Sequence, residues 1–223
     1  DRHGSETPLL VFTDLTVVDR NLKVISGSFW DYQVLLPERC NDLNRLLVQN
    51  VATGCTALMN RALLKKALPV RPESIAHDWW VALVAASFGA AGYVSLPTVL
   101  YRQHGKNLFG ARSLTALQLP GKAFRFLWNI RAFRKGAAQP FRQTKAFCDQ
   151  YSGTLDERQR LAALTLLRIP TEGLLRRLYL ALRCGCLPAG LIRKVAFLVV
   201  HKGDYPPTAA RVPPPSPPRP LPP

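Results

Sequence analysis

Ala76-His77-Asp78-Trp79-Trp80-Val81-Ala82-Leu83 is the stretch on which the fold turns. An apolar run continues from it to Phe88 and stops at Gly89. The spacing predicts a helix that begins near Asp78. Trp79, Val81, Leu83, Val84 and Phe88 would spread over nearly all of its sides, and a helix of that kind is buried on more than one face. His77 and Asp78 stand at its head. Beyond Gly89 comes Leu100-Tyr101-Arg102-Gln103-His104-Gly105-Lys106-Asn107, a second polar cluster at the end of an apolar segment. Polar groups on the lips of two hydrophobic elements point to a cleft.

Working outward, Leu9-Leu10-Val11-Phe12-Thr13 reads as a buried strand ending at Asp14. Thr16 to Asp19 continues extended, Arg20-Asn21 turns, and Leu22 to Ser26 returns as a short strand. Pro37 to Asn44 leads into a helix with Leu43, Leu46 and Leu47 on one face. Val51 to Met59 is small and apolar around Gly54, and Asn60 caps a helix from Arg61 to Ala67 that Pro69 ends. Tyr93 to Leu96 and Thr98 to Tyr101 read as two extended pieces broken by Pro97. The class is α/β.

From Leu114 the pattern becomes helix after helix: around 124–133, Phe141 to Tyr151, Leu155 to Leu167, Leu174 to Leu182 and Leu191 to Val200. Arg125, Arg131, Arg134, Arg176, Arg177 and Arg193 are interleaved among them. The tail from Pro206 to Pro223 holds 10 prolines in 18 residues and cannot pack a core, so it reads as disordered or polyproline II.

The chain of 223 residues is 48% hydrophobic, enough for a real core, and carries a net charge of +16. That charge is uneven. Residues 1–110 hold 11 Lys and Arg against 9 Asp and Glu, whereas residues 111–223 hold 19 against 5. A basic second half points to an anionic partner. Five cysteines without a repeated spacing argue against a disulfide framework and for a reducing, cytoplasmic compartment. Cys184-Gly185-Cys186 lacks the second pair that zinc requires. No run is long enough to span a membrane. Walker, dinucleotide, Gly-x-Ser-x-Gly, His-Glu-x-x-His and Asp-x-Asp patterns do not occur.

Each candidate residue has a functional and a structural reading. Asp78 in the first turn of a helix, where amide dipoles favour negative charge, suits a general base; it also suits a helix cap. Trp79 and Trp80 point to different faces, so that one packs in the core and the other is a platform for a flat ring, or both pack in the core. Arg102 and His104 suit phosphate or a metal, or simply a basic loop. Asp14 is either a ligand contact at a strand end or a turn former. Asn50 to Thr56, with Gly54 inside, lets a ligand approach the backbone or makes a tight connection.

Taken as an ordered set, Val11-Phe12-Thr13-Asp14 with Val18-Asp19, Asn50 to Thr56, Asn60-Arg61, His77-Asp78-Trp79-Trp80 and Tyr101-Arg102-Gln103-His104-Gly105-Lys106-Asn107 resemble the C-terminal half of a family 2 glycosyltransferase of the rhamnosyltransferase-like branch. The resemblance covers about residues 8–112. It implies part of a GT-A fold in residues 1–112, the acceptor-side half, followed by a basic helical extension in 113–205 and the tail in 206–223.

By that resemblance Asp78 is the general base of an inverting transfer of a sugar, such as rhamnose. The sugar would pass from a dTDP- or UDP-sugar donor to a polysaccharide or lipid-linked acceptor, as in O-antigen assembly. Arg102, His104 and Asp14 would lie on the diphosphate or metal side, with His104 as a candidate ligand of Mg2+ or Mn2+. Trp79, Trp80, Asn50, Gly54, Tyr101 and Asn107 would shape the acceptor side. The family's nucleotide-binding strands and Asp-x-Asp motif have no counterpart here. The expectation is therefore a fragment, inactive alone, of a longer enzyme at the inner face of the plasma membrane. The basic helices would contact anionic lipid. Rival readings are a basic module for nucleic acid or membranes and a non-catalytic relic of the fold. Nucleic acid is not expected, because the charge lies in Leu-rich helices without a binding motif.

Overall fold

The computed structural model describes residues 4–104 and 130–198. Within them, strands β1 (Leu9–Val18), β2 (Val24–Ser26), β3 (Leu58–Met59) and β4 (Ala90–Arg102) form one mixed sheet. Helices α1 (Phe29–Gln33), α2 (Leu43–Leu46), α3 (Arg61–Ala67) and α4 (His77–Phe88) belong to the same part of the chain. Helices α5 (Ile130–Tyr151), α6 (Glu157–Arg168), α7 (Leu174–Arg183) and α8 (Leu191–Leu198) follow. The architecture is α/β, as the residue patterns predict. Among the described residues no helix is long and apolar enough to cross a membrane.

β1 is the spine. It pairs with β4 in parallel along its whole length. Its other edge takes β3 at the start (Leu10↔Met59) and β2 at the end (Val17↔Ser26), both antiparallel. Burial alternates through Leu10, Phe12 and Asp14, then slips by one residue so that Leu15 and Val17 are buried instead. The cause lies in β4. Thr13 faces Val94 and Leu15 faces Val99, two steps on one strand against five on the other. Pro97, with no N–H to give the ladder, sits in this irregularity opposite Asp14. Two sequence expectations change here. The segments on either side of Pro97 are one bulged strand, and β1 runs on past Asp14 to Val18. The turn into β2 is built by Asp19, whose carboxylate accepts the N–H groups of Asn21 (2.7 Å) and Lys23 (2.9 Å).

α4 meets the expectation of all-round burial. Trp80, Val81, Ala82, Leu83, Val84 and Ala85 are six consecutive buried residues. Such a helix needs cover on every side, and α2, α3, the sheet and the later helices supply it. Trp80 packs edge-on to Phe147 of α5 at 5.6 Å and donates its indole N–H to the Ala67 carbonyl at 3.0 Å. Tyr151 gives its hydroxyl to the Lys66 carbonyl at 2.8 Å. Gln159, the third residue of α6 and half of a capping box with Asp156, reaches the Ser87 carbonyl at 2.8 Å. One continuous core thus joins the sheet to the basic helices. The expected boundary near residue 112, most of the helical segment around 124–133 and the Pro-rich tail lie outside the described residues.

Gly89 ends α4 for a packing reason. Its backbone is extended, with φ of −163°, but a Cβ there would lie 1.9 Å from the Pro8 carbonyl oxygen. That carbonyl accepts the Ala90 N–H at 3.0 Å, which sets β1 beside β4. Gly89→Ala must push the two strands apart. We expect it to cost more than the ~1 kcal/mol of an ordinary substitution, measured as a fall in the urea midpoint. An unchanged midpoint would show that Pro8 and Gly89 do not touch in this way.

Candidate functional site

A cleft of about 410 Å³ opens beside the N-terminal turn of α4. This volume lies in the usual range of small-molecule sites, about 300–1,000 Å³. Asp78 is the second residue of α4, and Ala76, which caps the helix, offers no side-chain hydrogen bond. The carboxylate is held from across the cleft. Gly54 donates its backbone N–H to Oδ2 at 2.9 Å, and Asn50 donates Nδ2 to Oδ1 at 3.1 Å. Asn50 is itself locked, because Nδ2 also reaches the Ala52 carbonyl (2.7 Å) and Oδ1 accepts the Ala52 N–H (3.1 Å).

Gly54 begins a 3-10 turn, Gly54–Thr56, that lies against α4. A Cβ at Gly54 would come 2.7 Å from Nε2 of His77 and 3.3 Å from Oδ2 of Asp78. The glycine is needed for this approach, not for a left-handed backbone. With one oxygen to Gly54 and the other to Asn50, the carboxylate retains acceptor capacity toward the cleft.

The remaining wall is mostly apolar. Trp79, Phe29 and Tyr101 line it. Trp79 gives its indole N–H to the Leu46 carbonyl at 2.5 Å, which fixes the ring. Phe29 and Tyr101 meet edge to face at 5.6 Å. Trp80 is in the core and does not line the cleft, so of the two tryptophans only Trp79 is placed to meet a ligand there. Cys55 stands on the rim. Burial, with a smaller contribution from the Asp78 charge, pushes its thiol up, away from the thiolate form that a nucleophile requires.

The C-terminal helices reach the same cleft. Arg193 of α8 lines it, donating to the Gln33 carbonyl (2.6 Å) and to Gln33 Oε1 (2.9 Å). Burial lowers its pKa, although a guanidinium stays protonated in proteins. Neither Arg193 nor helix α1, which carries Phe29 and Gln33, is singled out for the site by sequence. α1 did have a signal: Ser28-Phe29-Trp30-Asp31 is a capping pattern, and Ser28 Oγ accepts the Asp31 N–H at 3.1 Å. Arg193 had none, since nothing local distinguishes it from its neighbouring basic residues.

Asp14 is elsewhere. It is 3% exposed, and its oxygens accept from Leu15 N (2.7 Å), Ser28 Oγ (2.5 Å), Phe29 N (3.0 Å) and Trp30 N (3.3 Å). It anchors the start of α1 to β1. Arg102 and His104 are exposed at the end of β4 and are not among the residues lining the cleft. Asn107 lies outside the described residues. Among the described residues no three His, Cys, Asp or Glu side chains converge to hold a metal ion. The Asp14 oxygens are already taken by chain donors.

The fold is α/β, and the cleft is a candidate site with one carboxylate on its wall. The chain matches no family model, no curated protein and no solved structure.

Asp14→Asn tests the separation of the two aspartates. The amide nitrogen would confront donors that now meet an oxygen. We expect a stability loss of about 1.5–3 kcal/mol by urea unfolding. Retention of full stability would remove Asp14 from the structural role.

Proposed function

We propose that the protein serves an inverting sugar transfer from a nucleotide-sugar donor to a hydroxyl of a glycan or lipid-linked acceptor, with Asp78 as the general base. The observation that carries this reading is the Asp78 carboxylate, clamped by Gly54 and Asn50 and open to a cleft with an aromatic wall. The likeness of His77-Asp78-Trp79-Trp80 and of Tyr101 to Asn107 to family 2 glycosyltransferases supports the same reading.

In this mechanism the acceptor sugar lies against Trp79, since indoles favour the apolar faces of sugar rings. Its hydroxyl hydrogen-bonds to Asp78. As that oxygen forms the new bond to the anomeric carbon, its proton passes to the carboxylate. The bond from the anomeric carbon to the diphosphate breaks on the opposite face, and the nucleoside diphosphate leaves with the electron pair. The configuration inverts. The clamp fixes the direction of the base, so that the carboxylate meets the hydroxyl in a productive geometry.

The test uses the intact protein from its native source, assayed with nucleotide sugars and a hydroxyl acceptor. Asp78→Asn cannot take the proton, and because its amide nitrogen must face one of the two clamp donors, the melting temperature is measured alongside. Turnover is expected to fall about 10²–10⁴-fold, with donor affinity unchanged by calorimetry. Turnover near wild type would eliminate Asp78 as the base.

A further inference from the structure

Helix α7 is packed inside out. Its sequence, Leu174-Leu175-Arg176-Arg177-Leu178-Tyr179-Leu180-Ala181-Leu182-Arg183, is strongly amphipathic, yet the charged residue Arg177 is on the inner side and 5% exposed. Its guanidinium is held by three carbonyls: Glu172 at 2.7 Å, Pro170 at 2.9 Å and Leu198 at 2.9 Å. Ala181 packs inward beside it. Leu180 packs against the core, but the other leucines face out. Leu174 is 64% exposed, Leu175 84% and Leu182 62%, with Leu178 and Tyr179 also exposed. A surface helix normally does the reverse, and a contiguous outward apolar stripe marks a surface meant for an apolar medium.

We propose that this face of α7 docks on a lipid bilayer with anionic headgroups, the helix lying in the plane of the interface. Three observations select this occupant. Arg176, ion-paired to Glu172, and Arg183, set against Tyr179, are exposed on the same helix, and the chain as a whole carries a net charge of +16. A second copy of a chain with net charge +16 would meet it with like charge, whereas anionic headgroups complement it. The helix spans 10 residues, about 15 Å at 1.5 Å per residue, far short of a bilayer core of about 30 Å. Leucines toward the acyl chains and arginines toward the headgroups is the arrangement of an interfacial helix. Docking of this kind is independent of the sugar-transfer reading and would hold a lipid-linked substrate's carrier nearby only if that reading stands.

Flotation of the whole chain with phosphatidylcholine vesicles, with and without phosphatidylglycerol, tests it. The wild-type protein should float with the anionic vesicles and less with the neutral ones, and added salt should weaken binding. The double substitution Leu175→Glu/Leu182→Glu changes two exposed side chains, so the melting temperature should hold while flotation falls at least tenfold. Arg176→Gln and Arg183→Gln should each weaken binding about fivefold. Failure of the wild-type protein to float overturns the proposal. So does equal flotation of the double variant, or sedimentation as a dimer that the same double substitution dissociates. Should the double variant lose its fold, the two arginine variants and the salt series decide alone: binding that neither changes overturns it.

Discussion

The constraint on which this structure depends is that α4 is apolar around its whole circumference. Such a helix cannot sit at a surface, so each side must find cover. Six consecutive buried residues, Trp80 to Ala85, record the outcome. The sheet takes one side, and Gly89 lets β4 begin in contact with the start of β1. α2 and α3 take others, and α5 brings Phe147 and Tyr151 against Trp80. The basic helices are therefore structural partners of the sheet and share its core. Both ends of α4 are less covered than its middle, and His77 and Asp78 stand in the first turn, His77 exposed and Asp78 half-buried. The cleft is a consequence of the same packing: a helix covered along its middle exposes functional groups at its end.

Much of this was legible in the residues. Period and composition located α4, and Asn60 located the start of α3 through its side-chain cap on Leu63. What was not legible depended on pairing between distant segments. Pro97 reads as a strand breaker when β4 is taken alone. Opposite β1 it sits in a bulge, and the strand continues. Asp14 reads as a strand end for the same reason, because the slip in burial phase that follows it is imposed by β4. Arg193 is one of many arginines by sequence, and only the docking of α8 on Gln33 brings it to the cleft. Local propensity carries no information about such contacts.

Asp14 and Asp78 show how burial sorts chemically identical groups. Both accept backbone N–H groups beside the start of a helix. Asp14 meets four donors with almost no exposure, so its charge is consumed in joining α1 to β1. Asp78 meets two and remains half-buried on an open wall. A carboxylate with unused lone pairs in a cleft can accept a proton from something that enters; a saturated one cannot without breaking the fold. The donors supply that distinction, and they come from Leu15 and residues 28–30 in one case and from Asn50 and Gly54 in the other.

The same reasoning, applied to cations, separates Arg177 from the arginines near it. Buried charge is tolerated only where hydrogen bonds replace water. Arg177 has three carbonyl acceptors, two of them, Pro170 and Glu172, in the turn just before its own helix. Once that turn captures the guanidinium, the rotation of α7 about its axis is set, and every leucine of the helix but Leu180 is left facing outward. The exposed stripe is thus the counterpart of a satisfied buried arginine. The fold has turned the helix over at the cost of leaving Leu174, Leu175, Leu178 and Leu182 in water. That cost, about 25 cal/mol per Å² of apolar surface, is recovered only in an apolar surrounding.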